Sequence, residues 1–328
     1  MALRIGVALS SGGAAGLAHV GVLEELVGAG IDIQCVAGSS AGAMVGAAFA
    51  AGRLDEFRER VLARAGRRRL ALFDPIWPRN GLLGGRRAVA LLGACATASI
   101  EDLPLRYAAI ATDLDSGRRI AQCSGAVGDA IRASIAIPGV FAPVCCSGRL
   151  LVDGALSDPV PVGPTRELGA TFVIASSVIG SAETALTTRC FAAPPAPLHR
   201  RIARFLGYGE PTCVVTGEPG AASEESSIAE RSDGLAMILC KASNVVQTTI
   251  AAARLRDEPP DFLLAPPVFD IGVFEIVRAA DAIEAGRVAA RAALPELLDA
   301  IERARARSRP ALHWLRRPAE VDALPAVA

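Results

Sequence analysis

Lysine is almost missing from this chain. Of 34 basic residues in 328, only Lys241 is lysine and the rest are arginine. With the abundance of alanine, this reads as a coding bias that carries no function. A surplus of one charge is missing too, because 34 acidic residues bring the formal net charge to zero. That excludes nucleic-acid binding by bulk electrostatics, which needs a basic excess. Aromatics make up only 4% of the chain, yet 52% is hydrophobic, and so apolar a composition excludes a disordered chain. The cysteines at 35, 95, 123, 145, 146, 190, 213 and 240 include no C-x-x-C pair, and none stands at metal-ligand spacing from a histidine. No metal site is therefore expected. Cys35, Cys145 and Cys240 fall in apolar runs, where a buried reduced thiol is expected, and this favours the cytosol. Long Leu/Ile runs are lacking as well. The uncharged stretch from Ile33 to Gly52 is built of Gly, Ser and Ala, so a strand–turn–helix explains it better than a membrane span. The N-terminus becomes glycine-rich before a secretory apolar region could develop. A cytoplasmic, soluble protein is expected.

What is present is alternation. Arg4–Leu9, Ile31–Ala37, Tyr107–Thr112, Leu150–Val152 and Thr171–Ser176 read as strands, and Ala18–Gly28 and Ala41–Ala51 as helices. The pattern predicts an α/β fold with a mostly parallel sheet covered on both faces. From Ser181 to Asp233 the chain turns Pro-, Gly- and Ser-rich, and residues 181–233 are expected to form a mobile insertion or lid. A helix over Leu235–Arg254, a strand over Asp261–Pro267 and an Arg-rich helix from Ile283 to Arg309 follow. Residues 1–300 are taken as one domain, 301–328 as an Arg-rich C-terminal tail, and Arg317–Ala328 as loose.

The most informative segment is Gly38-Ser39-Ser40-Ala41-Gly42, a G-x-S-x-G sequence between a strand and a helix. A serine on so sharp a turn needs small neighbours on both sides, and the following helix N-terminus favours developing negative charge. Ser40 is the candidate nucleophile. Ser39 is the weaker one, lacking the symmetric glycines. Ser11-Gly12-Gly13-Ala14-Ala15-Gly16, after the first strand, can form a nest of N–H groups suited to an oxyanion. The same turn, with Asp32 in the next strand, is also compatible with a dinucleotide site, although Ser11 replaces that motif's first glycine.

A serine nucleophile needs a base, and only His19, His199 and His313 are histidines. His19 sits inside the first helix, a structural setting. His199 stands beside Arg200 and Arg201, and His313 is in the tail. The order Ser40, Asp153, His199 would match a hydrolase triad, but that basic setting argues against it. Asp153, at the end of an apolar strand before Gly154, stands where α/β sites assemble, and burial would raise its pKa. An Asp capping a turn is the plainer use of such a residue.

Taken together these segments resemble the patatin-like phospholipases, particularly the bacterial cytoplasmic kind. The resemblance rests on Leu9–Leu23, on Gly38–Gly42 and on Thr112-Asp113-Leu114 through Gly117. It rests further on Ala133-Ser134-Ile135-Ala136-Ile137-Pro138 with Phe141-Ala142-Pro143, and on Asp153-Gly154-Ala155 through Pro159-Val160-Pro161. Ile283–Gly286 is similar to a terminal helix of that family. The resemblance implies a three-layer α/β/α fold and hydrolysis of lipid acyl esters by a Ser–Asp dyad without histidine, metal or cofactor. It assigns Ser40 as nucleophile, Asp153 as base and the Gly12 and Gly13 N–H groups as oxyanion donors, and Ala41 at the helix start is a further donor. Where the family's glycine turn carries Arg or Lys, this chain has Ala15. Ser10 and Ser11 replace Asp or Gly, and Asp158 stands where Asn is usual. The loss at Ala15 keeps open a non-enzymatic, regulatory or binding role. Arg64, Arg67, Arg68, Arg69, Arg86 and Arg87 could touch anionic headgroups at a membrane surface, although such runs are commonly solvated helix faces.

Overall fold

The computed structural model describes residues 3–65, 74–77, 80–180 and 235–308. The insertion expected at 181–233, His199, Arg67–Arg69, His313 and the loose end of the tail lie outside the described residues.

Alternating apolar residues build a sheet buried on both faces. The hydrogen-bonded path runs β5-β6-β3-β2-β1-β7-β8, with β4 also paired to β3. Here β1 is Ile5–Leu9, β2 Ile33–Ser39, β3 Arg106–Asp113, β4 Arg119–Gln122, β5 Val144–Cys146, β6 Arg149–Asp153, β7 Phe172–Ser176 and β8 Phe262–Leu264. The β3-β2-β1-β7-β8 part is parallel, and β4, β5 and β6 add antiparallel pairings. Val7, Leu9, Val36, Ala109 and Ile174 join one core. It includes Leu23 of α1 (Ala18–Gly28), Val45 of α2 (Ala41–Ala50), Phe57 of α3 (Leu54–Ala65), Ile131 of α5 (Val127–Ser134) and Leu297 of α8 (Ala279–Ser308). A short helix α4 (Arg86–Val89) lies between α3 and β3 in the chain. Alternate residues Ala8, Cys35, Val173 and Ala175 face the other way, onto Val162 of α6 (Val162–Glu167) and Ala251 of α7 (Leu235–Asp257). Helices on both sides of a mixed, mostly parallel sheet make the expected three-layer α/β/α architecture.

Three expectations need correction. β2 runs on to Ser39, so the strand delivers its chain directly into the serine turn. α8 begins at Ala279, one turn before the start expected at Ile283, because Ala279 and Ala282 are already buried in the core, and it continues to Ser308 within the helix expected there. Cys145 is exposed, because β5 is a three-residue edge strand, whereas Cys35 and Cys95 are buried.

α1 and α8 cross at very close range. A Cβ on Gly21 would land on the Ile283 carbonyl, and one on Gly286 on the Ala18 carbonyl. Pairs Arg287–Glu24 (2.5 Å) and Arg291–Glu25 (2.6 Å) flank the crossing. Gly286→Ala must push two backbones apart, an overpacking change worth about 2 kcal/mol. A fall in Tm of roughly 3 °C is expected by calorimetry.

Candidate active site

The register of β3 brings the candidate residues together. Ala109 and Ile110 pair with Gly38 and Ser39 of β2 and also with Gln122 and Ala121 of β4, so β2 and β4 lie on opposite edges. Ala111 and Thr112 pair with Ile120 and Arg119 of β4 and with Asp153 and Val152 of β6. β6 therefore occupies the same edge as β2, starting where β2 stops. Ser39 faces Ile110 and Asp153 faces Ala111, adjacent positions on one strand. The chain leaving Ser39 must turn away at Ser40, and it turns beside Asp153.

That turn has φ 54° and ψ −118° at Ser40, a left-handed conformation that a side chain rarely adopts and that costs about 1–3 kcal/mol. The glycines around it are required by contact. A Cβ on Gly38 would strike the Gly42 carbonyl, and one on Gly42 the carbonyls of Leu9 and Ser10. A Cβ on Gly16 would come within 2.6 Å of the Ala41 Cβ, so the first glycine turn packs directly against the start of α2. Ser40 Oγ donates to Asp153 Oδ2 at 2.7 Å, and the two residues are 6% and 2% exposed. The Ser40 N–H donates to Ser134 Oγ at 2.9 Å, and Ser134 donates in turn to the Ile110 carbonyl at 2.6 Å.

Asp153 is a carboxyl with little to stabilise its charge. Burial pushes its pKa up to about 7, against the downward pull of the Ala155 N–H (2.8 Å to Oδ1) and the Ser40 hydroxyl. Its backbone is fixed as well. Its N–H donates to the Ala136 carbonyl, and its carbonyl accepts from Thr112 Oγ1 at 2.8 Å. A carboxyl titrating near neutrality and hydrogen-bonded to a serine hydroxyl can accept that hydroxyl's proton.

In the first turn Ser11 N–H is committed to the Pro159 carbonyl and Ala14 N–H to the Val273 carbonyl, leaving Gly12 and Gly13 N–H without acceptors among the described residues. Gly13 has φ 58°, and a Cβ there would meet the Val273 carbonyl. Ala41 N–H, in the first turn of α2, is likewise uncommitted among the described residues. Ala15 is buried beside this turn, and Ser11 Oγ donates to Gln247 Oε1 of α7 at 2.7 Å. Asp158 is fully buried. Its pKa is raised to about 6 by burial while Arg119 holds Oδ2 at 2.8 Å and pulls the other way. Arg119 also reaches Glu258 just beyond α7, at 3.2 Å.

His19 does not approach Ser40. Its Nε2 donates to the Ser10 carbonyl and its Nδ1 accepts from Ser176, both at 2.9 Å, and burial lowers its pKa to about 4. It is a neutral structural histidine. The dinucleotide alternative fails on geometry. A ribose-binding acid belongs at the C-terminal end of the second strand, beside the glycine turn, but Asp32 precedes β2 and is exposed at the opposite end of the sheet. Among the described residues no cluster of His, Cys, Asp or Glu could hold a metal. Sequence reasoning missed Ser134. It lay in a quoted motif, but no local pattern links position 134 to an amide at position 40.

Residues 7–166 match the patatin-like phospholipase family. An uncharacterized NTE family protein of Mycobacterium tuberculosis is 45% identical over 179 residues, covering 54% of this chain and 50% of that protein. A second from the same organism is 32% identical over 297 residues, 88% of this chain and 46% of the relative. A lysophospholipase of Coccidioides immitis is 32% identical over 183 residues, 53% of this chain and 11% of the relative. The chain thus spans about half the length of the mycobacterial relatives it matches. Residues 7–166, which carry the serine turn, the glycine turn and Asp153, belong to the patatin-like phospholipase family.

Proposed function

We propose that the chain is a serine hydrolase of lipid acyl esters, working through a Ser40–Asp153 dyad. The observation that carries this reading is the 2.7 Å hydrogen bond from Ser40 Oγ to a carboxylate whose pKa burial brings to about 7. Asp153 takes the Ser40 proton as Oγ forms a bond to the ester carbonyl carbon. The resulting oxyanion accepts from Gly12, Gly13 and Ala41 N–H. Asp153 then gives the proton to the departing alkoxide as the carbon–oxygen bond breaks, leaving an acyl-Ser40. Water repeats the sequence, losing its proton to Asp153 and releasing the fatty acid and free serine. No step calls for a metal or cofactor.

Ser40→Ala and Asp153→Asn are each expected to lower kcat on a medium-chain p-nitrophenyl ester by about 10³-fold or more. Full activity in either variant would overturn the dyad. The ionised base is the active form, so kcat/KM should rise with pH to half its maximum near 7 and then level off.

The same shift has a sign for stability. Asp153 in the folded state keeps a proton that an unfolded chain gives up near pH 4, so this contribution is complete below that pH and lost as pH rises through about 7. Asp153→Asn removes the buried charge and should be more stable than the parent at pH 8 by up to about 4 kcal/mol. Urea unfolding should show the advantage vanishing toward pH 4.

Ala15 favours the second reading, a protein without turnover, because it leaves the glycine turn without the family's usual cation. Labelling by a fluorophosphonate separates the two, since modification that disappears in Ser40→Ala requires a competent nucleophile.

Contact with an anionic lipid surface is part of the proposal. Ile76, Trp77 and Leu82 are 41%, 81% and 47% exposed, a Pro75–Leu83 bridge holds them together, and exposed Arg86 stands beside them. Asp74 is spent on the N–H groups of Gly85 and Arg86. Leu83 packs with Ile137, Phe141 and Phe274, next to the Val273 that abuts Gly13, so the patch borders the site. An aromatic and aliphatic patch edged by arginine suits the interface of an anionic bilayer. Trp77→Ala should weaken co-sedimentation with anionic vesicles several-fold and leave hydrolysis of a soluble ester unchanged. Equal binding to neutral and anionic vesicles would remove this part.

A further inference from the structure

The nucleophile and the base are gripped from a third side by one bend of chain, residues 134–136. Ser134 Oγ accepts the Ser40 N–H (2.9 Å) and donates to the Ile110 carbonyl (2.6 Å), and two residues on, the Ala136 carbonyl accepts the Asp153 N–H at 3.0 Å. We propose, building on the hydrolase reading above, that Ser134 is a positioning residue. Its hydroxyl locks the strained Ser40 turn in the orientation that aims Oγ at Asp153 and leaves Ala41 N–H free for the oxyanion.

The argument is one of peptide orientation. The Ser39–Ser40 peptide carries the Ser39 carbonyl and the Ser40 N–H, and its rotation changes φ of Ser40. Relaxation from φ 54° toward the common negative region would release strain and swing Oγ away from Oδ2. Opposing this, the buried Ser40 N–H would lose its acceptor, which a desolvated amide resists. Ser134 is itself fully buried and has no rotational freedom to spare, because its own proton is held by the Ile110 carbonyl beside Ser39 in the sheet. Ser39 takes no part in holding the turn, since its hydroxyl is buried without a partner among the described residues. The bend is anchored in turn, for the Arg132 guanidinium donates to the carbonyls of Gly84 and Ala142, both at 2.5 Å. One consequence is specific. Because Ser40 N–H is committed to Ser134, it is not an oxyanion donor, and that task falls to Ala41 and the glycine turn.

The test compares Ser134→Ala, Ser134→Cys and Ser134→Thr. Cysteine keeps the volume but is a poor acceptor, and threonine keeps the hydroxyl. For the alanine and cysteine variants, kcat on a soluble p-nitrophenyl ester should fall about 10–100-fold with KM nearly unchanged, as expected when a nucleophile is displaced by about an ångström. Fluorophosphonate labelling should slow in parallel. Deuterium exchange of a peptide spanning residues 38–42 should speed up in both, and threonine should restore protection and most of kcat. Gly286→Ala is the control for stability alone, and it should lower Tm without changing kcat of the folded protein. An unchanged kcat in both the alanine and cysteine variants, or a fall no larger than their unfolded fraction, would overturn the proposal. So would a Ser40 amide that stays protected in both. If Ser40→Ala itself kept full activity, the hydrolase reading would fail, and the exchange measurement would still decide whether Ser134 holds the turn.

Discussion

One edge of β3 is shared by two strands, and the rest of the site follows from that sharing. β2 pairs along it as far as Ile110 and β6 takes over at Ala111, running the opposite way. A continuous partner would leave no gap in the hydrogen bonding and no reason for either chain to leave the sheet. With two partners meeting end to end, β2 must turn at Ser40, while β6 brings Asp153 to the same point from the other direction. Ser40 and Asp153 are thus neighbours because of strand register, although 113 positions separate them in sequence. Small residues allow the meeting: Gly154 faces the Ile110 carbonyl and Ser39 Oγ at distances that no Cβ could fit.

The arrangement is held against its own local preferences. Ser40 sits in a conformation that favours glycine, and Asp153 carries a carboxyl into a space that resists its charge. Both would relax if isolated, so the surroundings must over-determine them. Ser134 and Ala136 fix the two backbones, Ala155 N–H fixes one carboxyl oxygen, and Thr112, backed by Ser157, fixes the Asp153 carbonyl. Behind them, the Arg119 pairs with Asp158 and Glu258 tie the loop after β6 to the end of α7. A network this connected is rigid, which suits a reaction whose groups must already be aligned when substrate arrives.

Legibility in the sequence followed the range of the interaction. β1, α1, β2 and α2 could be read because each turn is written in consecutive residues, and the glycines at 38 and 42 flank the serine whose bend demands them. Asp153 was readable as a strand end, but its place beside Ser40 entered through resemblance, since register across β3 has no local signature. Ser134 left no trace of its bonding role for the same reason. Two short elements escaped: β5 has three residues, and α5, with eight, shows too few turns for a helical period to stand out. The buried fate expected for Cys145 failed because an apolar run at a sheet edge can face solvent. The glycine turn is written in consecutive residues after β1, but Val273, which closes over Gly13, comes from a segment with no marker of that contact.

Histidine would reach a pKa near neutrality with no help from its surroundings, whereas aspartate reaches it here only by being kept from water. The base strength of Asp153 is therefore a property of the packed site and not of the residue. Anything that wets the carboxyl, such as a loosened α5 or a displaced Ala155, lowers its pKa and weakens it as a base even with Ser40 untouched. The converse also holds for the proposed reaction. An acyl chain laid over the site would exclude water further, raising the affinity of Asp153 for the proton it must take from Ser40. A polar substrate that carried water in with it would have the opposite effect. Preference for a fatty ester can then arise at the base itself, before any pocket measures the length of the chain.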